Sequence, residues 1–274
     1  MNRAQRVALA EETLRILDRG DYAAADGTHV SIRDAVDRAV AGTELYCDTD
    51  FPEQLALAPD GTGPVFELTG ETTLEAAERL VGEGVADPFV LNFASARNPG
   101  GGFLSGSQAQ EESLARASAL YPSLNARFAF YEHNRAGTSC LYSDWMIYSP
   151  VVPVFRRDDG GLLARPYAVS FLTAPAVNAG AVRQNEPERA GAIDAVNRER
   201  ARKLLWIAHR KGHKALVLGA WGCGVFRNDP AVIAAMFSGL LTGEFAGCFE
   251  RVVMAIYDTT ADQQVRSAFG AHFG

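Results

Sequence analysis

The chain has 274 residues, 47% hydrophobic and 22% charged, with a formal net charge of −7. This is ordinary for a folded soluble protein and long enough for one large domain, or a domain with an appendage, around a real core. No apolar run reaches the about 18 residues of a membrane span, and the acidic balance argues against a broad grip on DNA or RNA, leaving room only for a local basic patch.

From the N-terminus, residues 3–19 read as an amphipathic helix with Val7, Ala10, Leu14 and Leu17 on one face and Gly20 as its stop. The same stretch carries acids and bases throughout and lacks a signal peptide's apolar core. Val30 to Ile32 suits a short strand, after which Ser31 is placed to cap a helix to about Ala41. Residues 48–63, with two prolines and two glycines, read as a loop or boundary. The texture then alternates. Pro64 to Leu68 is a strand, and Thr72 and Glu75 form a capping box for the helix carrying Leu74, Ala77 and Leu80. Phe89 to Ala94 is a continuous apolar run of the buried-strand type. A hairpin turns at 158–161 into the strand Tyr167 to Thr173, and residues 186–210 predict one long helix. Ala215 to Leu218 is a strand, Asp229 and Pro230 open a helix to about Leu241, and Val252 to Tyr257 is a last strand. No internal repeat or low-complexity segment interrupts this order. Alternation of this kind predicts a largely parallel sheet covered by helices, with functional loops at the carboxyl ends of the strands.

One such loop is NPGGGFLSGSQAQEE, residues 98–112. Gly100, Gly101 and Gly102 can adopt positive φ and bring bare backbone close to a ligand, and amides beside a helix start suit phosphate oxygens. Ser107 reads as the N-cap, Gln110 completes its capping box, and Glu111 and Glu112 fall in or near the first turn. A plain flexible turn, with glutamates favouring the helix dipole, is the competing reading. The loop is neither a P-loop, lacking GK[ST], nor a GxGxxG dinucleotide fingerprint. A second stretch, GAWGCGVFRNDP at 219–230, also leaves a strand and ends at a helix cap. Its Gly219, Gly222 and Gly224 could clamp the same ligand from the other side. Phe226 would pack on a sugar or base, or else cover the loop as a core aromatic.

Together these segments carry a resemblance. GGG, seven residues, then QEE resembles the signature of the poly(ADP-ribose) glycohydrolases, and ETTLEAAERL, LNFASARNPGGGF, TAPAVNAG and GAWGCGVFRNDP resemble the bacterial type. The similarity runs from the N-terminal helix to RVVMAIYD. It implies a three-layer α/β/α macrodomain with a mixed, mostly parallel central sheet spanning 63–274, preceded by a helical N-terminal extension at 1–62. It further implies hydrolysis of ribose–ribose bonds in poly(ADP-ribose), a polymer degraded in the DNA damage response. Glu112 corresponds to the family's general acid and base, Glu111 to the residue orienting ribose hydroxyls, and Asn98 to the asparagine at the distal ribose. Gly100 to Gly102 with Gln110, and Gly222, Cys223, Gly224, Val225 and Phe226, match the loops around the diphosphate and distal ribose. Asn178, Tyr257 and Asp258 are candidate contributors to the adenine site. The chain lacks a long insertion like the substrate-gripping loop of the animal enzymes, which favours trimming from the chain end. The expected partners are ADP-ribose, poly(ADP-ribose) and the proteins bearing it, with no cofactor, metal, direct nucleic-acid binding or membrane, and a monomeric state.

The bond in question breaks through an oxocarbenium-like transition state. Adjacent helical residues point about 100° apart, so Glu111 and Glu112 cannot flank one bond from opposite faces. One carboxyl with two successive tasks, proton donor and then activator of water, is the mechanism expected. A non-catalytic ADP-ribose reader, and a hydrolase of mono-ADP-ribosyl groups or acetylated ADP-ribose, are the alternatives.

Other candidates read more simply as structure. His209 and His213 are four apart but interrupted by Gly212, at what looks like the basic end of a helix. Cys223 lacks an evident histidine partner. Trp145, Trp206 and Trp221 read as packing residues, and NRERARK at 197–203 as a solvated helix face. The four cysteines form no CxxC pair, so free thiols and a cytoplasmic location are expected.

Overall fold

The computed structural model describes residues 1–52, 54–59 and 61–274, so two positions of the predicted boundary loop, 53 and 60, lie outside the described residues. Helix α1 (Arg3–Arg19) starts at a reciprocal cap between Asn2 and Gln5 and stops at Gly20, whose φ of 76° a side chain would resist. A two-stranded ribbon, β1 (Asp21–Ala23) and β2 (His29–Ser31), leads into α2 (Arg33–Gly42). The edge strand β3 (Glu44–Tyr46) follows. Next come β4 (Val65–Thr69), α3 (Thr73–Gly82) and β5 (Phe89–Phe93), then three short helices, α4 (Gln110–Ala117), α5 (Leu120–Asn125) and α6 (Ala129–Ala136). The hairpin strands β6 (Met146–Arg156) and β7 (Leu162–Ala174) precede α7 (Ala179–Asn185) and α8 (Ile193–Arg210). The chain closes with β8 (Ala215–Leu218), α9 (Pro230–Thr242), β9 (Arg251–Ala255) and α10 (Gln264–Phe273).

Seven strands form one sheet in the order β3-β6-β7-β5-β8-β9-β4. β7, β5, β8, β9 and β4 run parallel, while β6 is antiparallel to both of its neighbours. Alternate side chains divide the core. Phe89, Leu91, Leu216, Leu218, Val252 and Met254 pack against α8, α9 and α10, and Val90, Ala215, Val217 and Val253 face the layer that contains α1 to α6. The result is a mixed, mostly parallel sheet between two helical layers. The first 62 residues enter this architecture directly, because β3 pairs with β6 at Glu44 to Tyr46. Loops 70–72, 94–109, 175–178, 219–229 and 256–263 all leave the carboxyl ends of parallel strands, where an open α/β sheet places its ligand sites.

Several local expectations hold. Thr72 and Glu75 form the capping box of α3, and Asp229 accepts from the Ala231 N–H at the start of α9. Others are corrected. Ser31 does not cap α2: it ends β2, and Ile32 stands at the cap with no side-chain bond. Ser107 does not cap α4, which begins at Gln110 behind an uncapped Ala109, because Gln110 is drawn to β5 instead. The single helix expected over 186–210 is a 3₁₀ segment, Pro187–Ala192, followed by α8. The last strand ends at Ala255, short of Tyr257.

Candidate active site

β8 pairs with β5 only at Phe89 and Val90. Gln110 takes the next main-chain positions of that strand: Oε1 accepts from the Phe93 N–H at 2.8 Å, and Nε2 donates to the Leu91 carbonyl at 2.7 Å and to Thr73 Oγ1 at 3.2 Å. A side chain thus continues the sheet and fixes the first turn of α4 against β5. The next two residues diverge as helical geometry requires. Glu111 turns towards β5, where Oε2 accepts from the Ser95 N–H at 2.6 Å and Oε1 from Asn92 Nδ2 at 3.3 Å. Glu112 turns towards the glycine loop, and its Oε1 accepts from the Gly102 N–H at 2.9 Å.

The glycines meet the carboxyls at close quarters. Gly101 has φ of 61°, and a Cβ there would lie 2.4 Å from Glu112 Oε1 and 3.1 Å from Glu111 Oε2. No side chain fits between this backbone and the pair. Both glutamates are buried, Glu111 at 3% exposure. Burial pushes the Glu111 carboxyl up to about 8; the neighbouring Glu112 charge adds to this, and the Ser95 N–H opposes it.

The second loop closes from the other side. Gly222 has φ of 72°, and a Cβ on it would meet Ala176 at 2.4 Å. Its carbonyl accepts from Asn228 Nδ2 at 3.0 Å, which also donates to the Val177 carbonyl at 2.9 Å. Asn228 Oδ1 in turn accepts from Asn197 of α8 at 2.8 Å, and Asn197 Oδ1 accepts from the Val177 N–H at 2.9 Å. Two buried amides therefore tie loop 219–229, loop 175–178 and α8 together.

Between the two loops lies a cleft of about 360 Å³, bounded by Ser95, Glu111, Glu112, Gly222, Val225 and Phe226. A larger cavity of about 840 Å³ adjoins it and shares Phe93, Ala109, Gln110, Ala220 and Gly224. Thr72, Thr73, Ile256, Tyr257 and Asp258 lie on the larger cavity's wall. A small chamber holding two carboxyls, continuous with a larger one, has the form of a site for an elongated ligand whose reacting end enters the chamber.

A model of the microbial-type PARG catalytic domain matches residues 10–157. The chain belongs to this family, the poly(ADP-ribose) glycohydrolases of microbial type. Its fold is similar to the crystal structure of poly(ADP-ribose) glycohydrolase from Thermomonospora curvata, at 50% identity and a TM-score of 0.95 over 99% of this chain and 100% of that one. It is also similar to the same bacterium's glycohydrolase bound to the inhibitor ADP-HPD, at 51% identity and a TM-score of 0.91, with 99% and 100% covered. The glycohydrolase of Deinococcus radiodurans in complex with ADP-ribose aligns at 45% identity and a TM-score of 0.82, over 86% of this chain and 96% of that one. No curated protein matches the chain.

Within this PARG fold the positions singled out from sequence fall into three groups. Glu111, Glu112, Gln110, Gly222, Gly224, Val225 and Phe226 line the smaller cleft. Cys223, Tyr257 and Asp258 face the larger cavity. Asn98, Gly100, Gly101, Gly102 and Asn178 line neither. The three glycines back the glutamates, and Asn98 supplies the carbonyl that turns the loop at Gly101. Asn178 caps α7 by accepting from the Ala181 N–H at 3.1 Å. Asp258 accepts from Thr260 and from the Val265 N–H, and these bonds hold its carboxyl below the usual range. Burial pushes the Cys223 thiol up to about 12, which keeps it protonated and poorly nucleophilic at neutral pH.

The other candidates have structural partners. His213 Nε2 lies 2.8 Å from the Tyr148 hydroxyl, and His209 Nε2 accepts from the Ala58 N–H. Trp221 donates from its ring N–H to the Ala174 carbonyl at 2.9 Å. The 197–203 run is solvated only in part, with Arg198 and Glu199 exposed. Arg200 is fully buried and pairs with Asp144 at 3.0 Å while donating to the Pro175 and Leu141 carbonyls. Ser95, Asn197 and Asn228 were missed. Ser95 had a faint signal as the hydroxyl residue just past a buried strand; the two asparagines lie 31 positions apart and had none.

Proposed function

We propose that this chain hydrolyses poly(ADP-ribose), releasing ADP-ribose by cleaving the bond between the anomeric carbon of one unit's distal ribose and the 2′-oxygen of the next unit's adenosine. Family membership and the likeness to glycohydrolase structures holding ADP-ribose and ADP-HPD support this reading. The observation that carries it is the pair Glu111 and Glu112 on the wall of a cleft continuous with a larger cavity.

In this reading Glu112 protonates the departing 2′-oxygen as the sugar gains oxocarbenium character. The carboxylate left behind, held by the Gly102 N–H, takes a proton from water as that water's oxygen bonds to the anomeric carbon. Glu112 ends protonated, as it began. Burial keeps a proton on Glu111 at neutral pH. Neutral Glu111, anchored by Ser95 and Asn92, orients the ribose hydroxyls. Gly222 to Phe226 close over the distal ribose and diphosphate, and the adenosine lies in the larger cavity beside Tyr257. The chain trims the polymer from its end, on proteins that carry it, as a cytoplasmic monomer with an N-terminal extension packed on the catalytic domain.

The test is to incubate the protein with labelled poly(ADP-ribose) and, separately, with mono-ADP-ribosylated protein, and to separate the products. Free ADP-ribose from the polymer is expected. Intact polymer with retained binding would make the chain a reader, and release only from the singly modified protein would make it a hydrolase of that linkage.

A further inference from the structure

The mouth of the smaller cleft carries groups that belong to neither cavity wall. On one side stand Arg97 and Arg135, both exposed. Arg97 lies two residues past Ser95, the anchor of Glu111. Arg135 donates to the Arg97 carbonyl at 2.7 Å and to Asn98 Oδ1 at 3.3 Å, with its guanidinium over the Phe128 ring at 5.1 Å. Among the described residues neither arginine has an ion pair, in a chain of net charge −7. Tyr142 adjoins the cleft's Phe226, its ring centroid 6.0 Å from that of Phe226. It is a non-glycine residue at φ 61°, and buried Arg200 grips the Leu141 and Tyr142 carbonyls. The two sides are neighbours, because Asn134, next to Arg135, accepts at 3.1 Å from the N–H of Ser143, next to Tyr142.

The chemistry of the polymer says what must occupy this mouth. Beyond the bond at Glu112 lies the departing unit, which presents an adenosine first and a diphosphate next. We propose that Tyr142, Arg97 and Arg135 form a subsite for that leaving unit, Tyr142 stacking its adenine and the two arginines binding its diphosphate. The inference rests on the glycohydrolase reading and adds to it a selection for polymer over other ADP-ribosides. An aromatic face is a platform for any base, and guanidinium groups match phosphate oxygens.

The experiment compares two substrates with the same scissile carbon: poly(ADP-ribose), and ADP-ribose bearing a fluorogenic phenol at its anomeric carbon, which lacks a leaving adenosine and diphosphate. Tyr142→Ala and Arg97→Ala are each expected to raise KM for the polymer by about tenfold, the scale of one lost base stack, and to leave both constants for the phenolic substrate unchanged. Tyr142→Phe should keep wild-type KM on the polymer, and Arg97→Ala should flatten the salt dependence of that KM. Thermal melting of each variant checks its fold. Wild-type polymer kinetics in both alanine variants would overturn the subsite alone, as would an equal loss on both substrates. A wild-type protein inert on both would overturn the glycohydrolase reading and the subsite with it.

Discussion

The two glycine loops look alike in sequence and act differently in the fold. In 98–107 the glycines are shaped by the protein's own groups: Gly101 makes room for two carboxyls, and Gly102 donates to one of them. In 219–229 only the first part is packed in that way. Gly222 is closed in by Ala176 and Asn228, whereas a methyl on Gly224 would meet nothing within 4 Å and Val225 is 84% exposed. One loop positions the two carboxyls; the other is a wall with a free rim available to a ligand. Glycine therefore records a close approach without saying whether the approaching group is protein or ligand.

Substitutions can break this contrast in graded steps. The largest effect is expected from Glu112→Gln, which removes the only proton carrier in the proposed mechanism: kcat should fall by about 10²-fold or more while ADP-ribose binding, read by calorimetry, survives. Gly101→Ala comes next. Its methyl collides with both carboxyls and forces a side chain into the left-handed region, at about 1–2 kcal/mol for the backbone alone. A loss of kcat of roughly tenfold and a lower melting temperature are expected, since misplaced catalytic groups are costly.

Asn228→Ala tests how the second loop is held. It strands Asn197 Nδ2 and leaves the Gly222 and Val177 carbonyls with one backbone N–H partner each, and should cost about 1–3 kcal/mol, a drop in melting temperature of roughly 2–5 °C. Glu111→Gln tests the cost of the first. The folded-state pKa of Glu111 lies above its ordinary 4.5, at about 8, so the folded protein holds this proton more tightly than the unfolded chain. Wild-type stability from this group is therefore lost as pH rises between those values. The glutamine variant should melt at least about 2 °C higher than wild type at pH near 8.5 and differ least below pH 4.5. Gly224→Ala should do least to the fold, with melting unchanged within about 1 °C. Any rise in KM at constant kcat would then report the ligand's contact with the free rim.

Much of the fold was legible because it rests on local rules. The apolar run of β5, the capping box at Thr72 and the left-handed stop at Gly20 each depend on residues within a few positions of one another. Misreadings came where a side chain left its own segment. Gln110 satisfies a helical cap on paper, yet its amide bonds a strand 17 and 19 residues away. The arginine-rich stretch of α8 reads as surface, but Arg200 finds Asp144 56 residues back and is fully buried. Burying such a group unpaired would be prohibitive, so the partner decides the outcome, and no local pattern names the partner.

The amino-acid order by itself determined the alternation of strands and helices, the placement of two glycine loops beyond strand ends, and the adjacency of two glutamates at a helix start, because periodicity, caps and breakers act over a few residues. The tertiary structure alone decided which carboxyl faces β5 and which faces the glycine loop, that burial keeps a proton on Glu111, and that two distant asparagines hold the opposing wall. Desolvation and hydrogen bonding depend on what lies within a few ångströms in space, and in this chain those neighbours are supplied from across the sheet.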